Sequence, residues 1–90
     1  MSVVDQAAES IIDFLMEREG QTLKTFPGQL ITTLATHCLG TEIQVGDVEY
    51  HLFSRAILFL EDLDLVKVDR LHHHRHARAN MLVSITLKED

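Results

Sequence analysis

Residues 47–68, DVEYHLFSRAILFLEDLDLVKV, hold an amphipathic helix, a hard turn and the start of a strand. Apolar side chains recur at Val48, Leu52, Phe53, Ala56, Ile57, Leu60 and Leu63, the three- and four-residue spacing that lines one face of a helix. Asp47, Glu49, Tyr50, Ser54 and Arg55 fall mostly on another face. Past Leu63 the period shortens to two: Val66 and Val68 alternate with Lys67 and Asp69, as in a half-buried strand. A helix over about 47–62 therefore feeds a hairpin whose strands lie at about 65–71 and 81–87. In the second of these, Met81, Val83, Ile85 and Leu87 are expected on one side, and Leu82, Ser84, Thr86 and Lys88 on the other.

Composition sets the bounds. A chain of 90 residues has room for one domain, and at that size roughly 60–65% of the unfolded surface is buried on folding, so the core is small. No apolar run approaches the ~20 residues of a membrane span. The N-terminus lacks a basic start followed by a long apolar run, so no signal peptide is expected. Cys38 is the single cysteine, which fits a small core or near-surface side chain better than a reactive thiol. These features predict a cytoplasmic protein that does not associate with membranes.

The net charge of −6 is unevenly spread. Residues 1–66 hold three basic and eleven acidic side chains, whereas residues 67–90 hold five basic and three acidic. Between Lys67 and Arg78 stand Lys67, Arg70, Arg75 and Arg78 against Asp69 alone, with His72, His73, His74 and His76 among them. Such a dipole orients a chain against a polyanion even when the net charge is negative.

Upstream, a first helix is expected over about 3–19, burying Val4, Ala8, Ile11, Ile12, Leu15 and Met16. Asp5, Glu9, Asp13 and Glu17 form an acidic stripe at four-residue spacing, which reads as a solvated face. Like charges so spaced cost roughly 0.2–0.5 kcal/mol per pair, so packing must hold this helix. Gly20 stops it, and Gln21 to Thr25 suits a brief strand. A second helix is expected over about 26–37, with Pro27 in its first turn and Leu30, Ile31, Leu34 and Leu39 buried. The connection GTEIQVG, 40–46, leads to the third helix.

The junction Leu60-Glu61-Asp62-Leu63-Asp64-Leu65-Val66 resembles the winged-helix family, in which a helix closing on L-E-x-x-G-L-V turns into the first strand of the wing. Asp64 stands where that family usually has Gly; the position calls for a left-handed backbone, which Asp adopts at more cost. The motif covers about seven residues, and the order of elements extends the likeness over most of the chain. The resemblance implies an α+β fold: three helices, a two- or three-stranded antiparallel sheet, and a wing made from the His- and Arg-rich run HHHRHARAN, 72–80.

It also implies function. The chain would be a small transcriptional regulator that binds double-stranded DNA; the apolar surplus of its first and third helices, and the affinity two half-sites add, predict a homodimer, and no cofactor is expected. Tyr50, His51, Ser54 and Arg55 would face the major groove, Arg55 by a bidentate bond to a guanine edge. Lys67, Arg70, His73, Arg75 and Arg78 would meet phosphates or the minor groove. A competing reading is a winged-helix module that binds a protein partner in a larger assembly. It rests on the single cation of the third helix, on its neighbours Asp47, Glu49, Glu61 and Asp62, and on the apolar surplus of Leu58 and Phe59.

The histidines admit a metal only in pairs, because His72 and His74, or His74 and His76, would lie about 6.6 Å apart on a strand. No acid or cysteine nearby completes a zinc set, and no metal is expected. Imidazoles titrating near pH 6.5 would make DNA affinity rise between about pH 7.5 and 6. Catalytic motifs are lacking: no nucleophile elbow, no phosphate-binding glycine loop, and only sequence proximity linking His37, Cys38 and Glu42. The chain is not expected to be an enzyme.

Overall fold

The computed structural model describes residues 2–71 and 81–88. Within them the chain is a mixed α+β structure with three α-helices and a three-stranded antiparallel sheet: α1 (Val3–Glu17), β1 (Thr22–Lys24), α2 (Leu30–Leu39), α3 (Val48–Asp62), β2 (Val66–Arg70) and β3 (Leu82–Leu87). The element order, and the strand order β1-β3-β2, are compatible with winged-helix topology. The basic run 72–80 lies outside the described residues.

Local chemistry sets the helix ends. Ser2 and Asp5 form a capping box at the start of α1, each side chain taking the other's backbone N–H. At the far end Gly20 (φ 74°) and Gln21 (φ 52°) turn the chain into β1. The second helix starts at Leu30, four residues later than the proline suggests. Pro27 and Gly28 instead occupy the centre of a turn closed by the Gln29 N–H on the Phe26 carbonyl at 3.1 Å, and Gly28 (φ 83°) supplies the left-handed backbone that a type II turn requires after proline. Gly40 caps α2 in the left-handed region, its N–H donating to the Thr36 carbonyl.

The end of α3 follows the expected pattern. Asp64 is left-handed (φ 62°), and the Leu65 N–H donates back to the Leu60 carbonyl at 3.0 Å, the six-to-one bond that closes a helix before a sharp reversal. Lys88, just past β3, pairs with the Asp64 carboxylate.

The core joins Ile11 and Leu15 of α1, Leu30, Ile31 and Leu34 of α2, Phe53, Ile57 and Leu60 of α3, and Leu23, Val66, Leu82 and Ile85 of the sheet. Its contents correct several expectations. On α3 the buried stripe is Tyr50, Phe53, Ala56, Ile57 and Leu60. Val48 is 80% exposed and Leu63 52% exposed, while Tyr50, expected on the polar side, is only 8% exposed. Apolar residues surround more than half of this helix, so their period alone does not select which stripe is buried. Met16 and Leu39 are likewise exposed.

Sheet register corrects another expectation. Leu23 and Val68 both pair with Ile85, and all three face the core. From Asp69↔Ser84 the ladder jumps to Arg70↔Leu82, leaving Val83 as an extra residue. This bulge brings Leu82 to the same buried side as Ile85, although strict alternation would put them on opposite faces. The outer face carries Thr22, Lys24, Lys67, Asp69, Ser84 and Thr86, with a Thr22–Thr86 hydroxyl bond of 2.7 Å and Ser84 donating to Asp69 at 2.9 Å.

Candidate nucleic-acid interface

Burying the Tyr50–Leu60 stripe determines what α3 shows outward: Val48, His51, Arg55, Leu58, Phe59 and Asp62, at intervals of three and four, are exposed along one line. His51 and Arg55 lie in its N-terminal half, and Ser54 is half-buried on its flank. Tyr50 does not face outward. Its ring is buried and meets the His51 ring edge-on, with centroids 5.5 Å apart, so it supports His51 from behind. His51 and Arg55 also border a shallow, mainly apolar groove with Val3, Val4, Val48 and Leu52, where the first turns of α1 and α3 meet.

The acids near this helix are partly engaged. The Asp47 carboxylate, at the N-cap, turns away from the helix and accepts from the Gln44 N–H at 2.8 Å. Glu61 receives both guanidinium arms of Arg70, Nη1 to Oε2 and Nη2 to Oε1, each at 2.9 Å. The hydrogen bonds from Arg70 hold the Glu61 carboxyl below the usual glutamate range, and the same bonds push the Arg70 guanidinium further up. Glu49 and Asp62 remain exposed.

Arg70, expected on DNA, faces the helices instead. It shares the parity of Val66 and Val68, the core-facing residues of β2. That parity is readable in the sequence, as is a glutamate in the last turn of the preceding helix. Lys67 has the opposite parity and stands exposed on the outer sheet face, between Val66 and Val68 along the strand and beside Thr86 across it. His73, Arg75 and Arg78 lie outside the described residues. Of the nine residues expected on DNA, the structure thus brings His51, Ser54 and Arg55 together on α3, puts Lys67 on the sheet, and withdraws Tyr50 and Arg70.

Elsewhere, Cys38 donates weakly to the Ser10 carbonyl at 3.7 Å, and burial pushes its thiol up to about 11, which disfavours the nucleophilic thiolate. His37 stacks on Phe14 with centroids 5.4 Å apart, and the Arg18 guanidinium lies 5.3 Å from the centre of the same ring. His37 and Cys38 are therefore directed to α1. Among the described residues no cluster of three or more His, Cys, Asp or Glu could hold a metal ion. No described helix is long and apolar enough to cross a membrane.

No family model, curated protein or solved structure matches the chain.

Proposed function

We propose that the chain is a winged-helix domain that binds double-stranded DNA as a small cytoplasmic transcriptional regulator, working as a homodimer. The observation that carries this reading is the outer line of α3, which presents His51 and Arg55 together at the N-terminal half of the helix with Ser54 on its flank. Arg55 reads a guanine edge or a phosphate there, and His51 and Ser54 bond to neighbouring bases or phosphates. Lys67 and the arginines of 70–78 other than Arg70 add the phosphate attraction that one cation on α3 does not supply. Two half-sites give a dimer the affinity that one weakly basic module lacks.

A second reading has its own support. Val48, Leu58 and Phe59 lie on the same outer line and are exposed by 80%, 41% and 37%. An apolar helix face of this kind suits a protein partner.

Fluorescence anisotropy on mixed-sequence duplex DNA at two salt concentrations separates the two. In the DNA reading, binding weakens with salt, and Arg75→Ala/Arg78→Ala flattens the slope of log affinity on log salt by ~0.9 for each phosphate that is no longer neutralised. Absence of binding at low salt, even at pH 6, overturns it in favour of a protein partner on α3.

A further inference from the structure

β2 is an edge strand: the sheet order is β1-β3-β2, and among the described residues β2 bonds only to β3. At its two ends the Leu65 carbonyl accepts from the Lys88 N–H and the Leu71 N–H donates to the Met81 carbonyl, so the odd-numbered residues carry the bonds to β3. The even-numbered Val66, Val68 and Arg70 therefore turn their backbone N–H and C=O toward the open edge. The extra residue of the bulge, Val83, belongs to β3, so this edge runs unbroken. On the outer face the odd-numbered side chains are Leu65, Lys67, Asp69 and Leu71, all exposed, the two leucines by 41% and 42%. They are symmetric about Val68, with apolar residues at 65 and 71 and opposite charges at 67 and 69. Laid antiparallel on a second copy with Val68 opposite Val68, the strand sets Lys67 against Asp69 and Leu65 against Leu71, each twice, in the non-hydrogen-bonded pairs whose side chains lie closest. Charge on an edge strand ordinarily keeps other strands away; a self-pairing centred on Val68 turns the same two charges into an attraction.

We propose that β2 pairs edge to edge with β2 of a second copy, antiparallel about Val68, joining the two three-stranded sheets into one continuous sheet and forming the homodimer. This rests on the homodimer part of the reading above and names its interface. The contact is isologous, so it closes at two copies. It is also narrow. Val66 is 1% exposed and Val68 9%, so the backbone bonds centre on the Val68 pair and the outer side chains supply the rest. An interface at the low end of the size range gives a dimer that dissociates on dilution. The pairing uses none of His51, Ser54 and Arg55, and it shares only Lys67 with the residues proposed to attract phosphate.

Sedimentation velocity over a concentration series, without DNA, tests this on wild type, Lys67→Glu, Leu71→Asp and the exchanged pair Lys67→Asp/Asp69→Lys, each checked for native circular dichroism. Wild type is expected to pass from monomer to dimer as concentration rises. Lys67→Glu sets a carboxylate against Asp69 of the second copy, and Leu71→Asp sets a charge against its Leu65; each should raise the dissociation constant about tenfold or more. The exchanged pair restores the attraction and should dimerise more tightly than Lys67→Glu. Three results overturn the proposal. Wild type that stays monomeric through the series removes the homodimer along with its interface, while DNA binding is decided separately by the anisotropy titration. A dimer whose dissociation constant is unchanged in both single variants forms through another surface. An exchanged pair no tighter than Lys67→Glu, with Leu71→Asp still weakened, rules out the register about Val68. Should Lys67→Glu fail to fold, Leu71→Asp and the exchanged pair decide.

Discussion

α1 and α3 are both 15 residues long, pack against each other, and bury similar inner stripes: Ala7, Ala8, Ile11 and Leu15 on one, Tyr50, Phe53, Ala56, Ile57 and Leu60 on the other. Their outer faces differ. α1 shows Gln6, Glu9, Asp13 and Glu17, with Val3 and Met16 at its two ends, the pattern of a helix meeting water. α3 shows a histidine, an arginine and three apolar side chains, which neither capping nor core packing requires. Solvation alone accounts for a polar outer face on the first helix, whereas neither solvation nor packing accounts for the outer line of the third. An outer face that stability does not need is where a binding surface is to be sought.

The comparison can be broken by mutation. Phe53→Ala, in the inner stripe of α3, is expected to cost about 3–5 kcal/mol by urea denaturation, enough to unfold much of a marginal domain. Arg55→Ala should leave the urea midpoint within about 0.5 kcal/mol of wild type while weakening DNA binding by about 1–3 kcal/mol and relaxing its base preference. If it destabilised the fold without touching affinity, the outer line of α3 would be structural after all. On α1, Ser2→Ala removes the cap and should cost about 1 kcal/mol, read as a lower thermal midpoint.

Smaller effects sharpen the contrast between the two outer faces. Asp13→Asn removes a like charge from between Glu9 and Glu17 and should raise stability by about 0.2–0.5 kcal/mol; a loss would mean that the acidic stripe has a partner. Acid treats the Glu61 fork in the opposite way. Arg70 lowers the folded-state pKa of Glu61, so its contribution to stability is present above the ordinary glutamate range and is lost as pH falls through the lowered value. Both groups are part-exposed, so solvent screening keeps the effect small. In Glu61→Gln the acid limb of the stability curve should be shallower than in wild type by that one group.

Much of the fold is legible in the sequence because several local signals agree. The junction at Leu60–Val66 predicts a left-handed Asp64, and the residue adopts it; the third helix, expected over about 47–62, runs Val48–Asp62, and the brief strand after Gly20 is β1. The misses have distinct physical causes. α3 has more apolar residues than one face can bury, so the choice between a stripe through Val48 and one through Tyr50 falls to packing against α1 and α2. Alternation along β3 fails at Leu82 because of an inserted residue, Val83, that period counting cannot see. Pro27 suits a helix start and a turn equally well, and the following Gly28 decides for the turn. In the site, charge sign draws Arg70 toward DNA, whereas its parity with Val66 and Val68 directs it inward.

The strand order β1-β3-β2 sets the sequence in which the fold can form. β3 is the last of these elements to be synthesised, yet it is the middle strand, and among the described residues each of the other two strands bonds only to it. Thr22 waits for Thr86, 64 residues later, before it has a strand partner. Until β3 emerges, β1 and β2 have no strand to pair with, and closing so long a loop is slow compared with helix formation. Until then the apolar residues Leu23, Val66 and Val68 have no sheet to join, which makes stalled or shortened chains the form of this molecule most prone to aggregate.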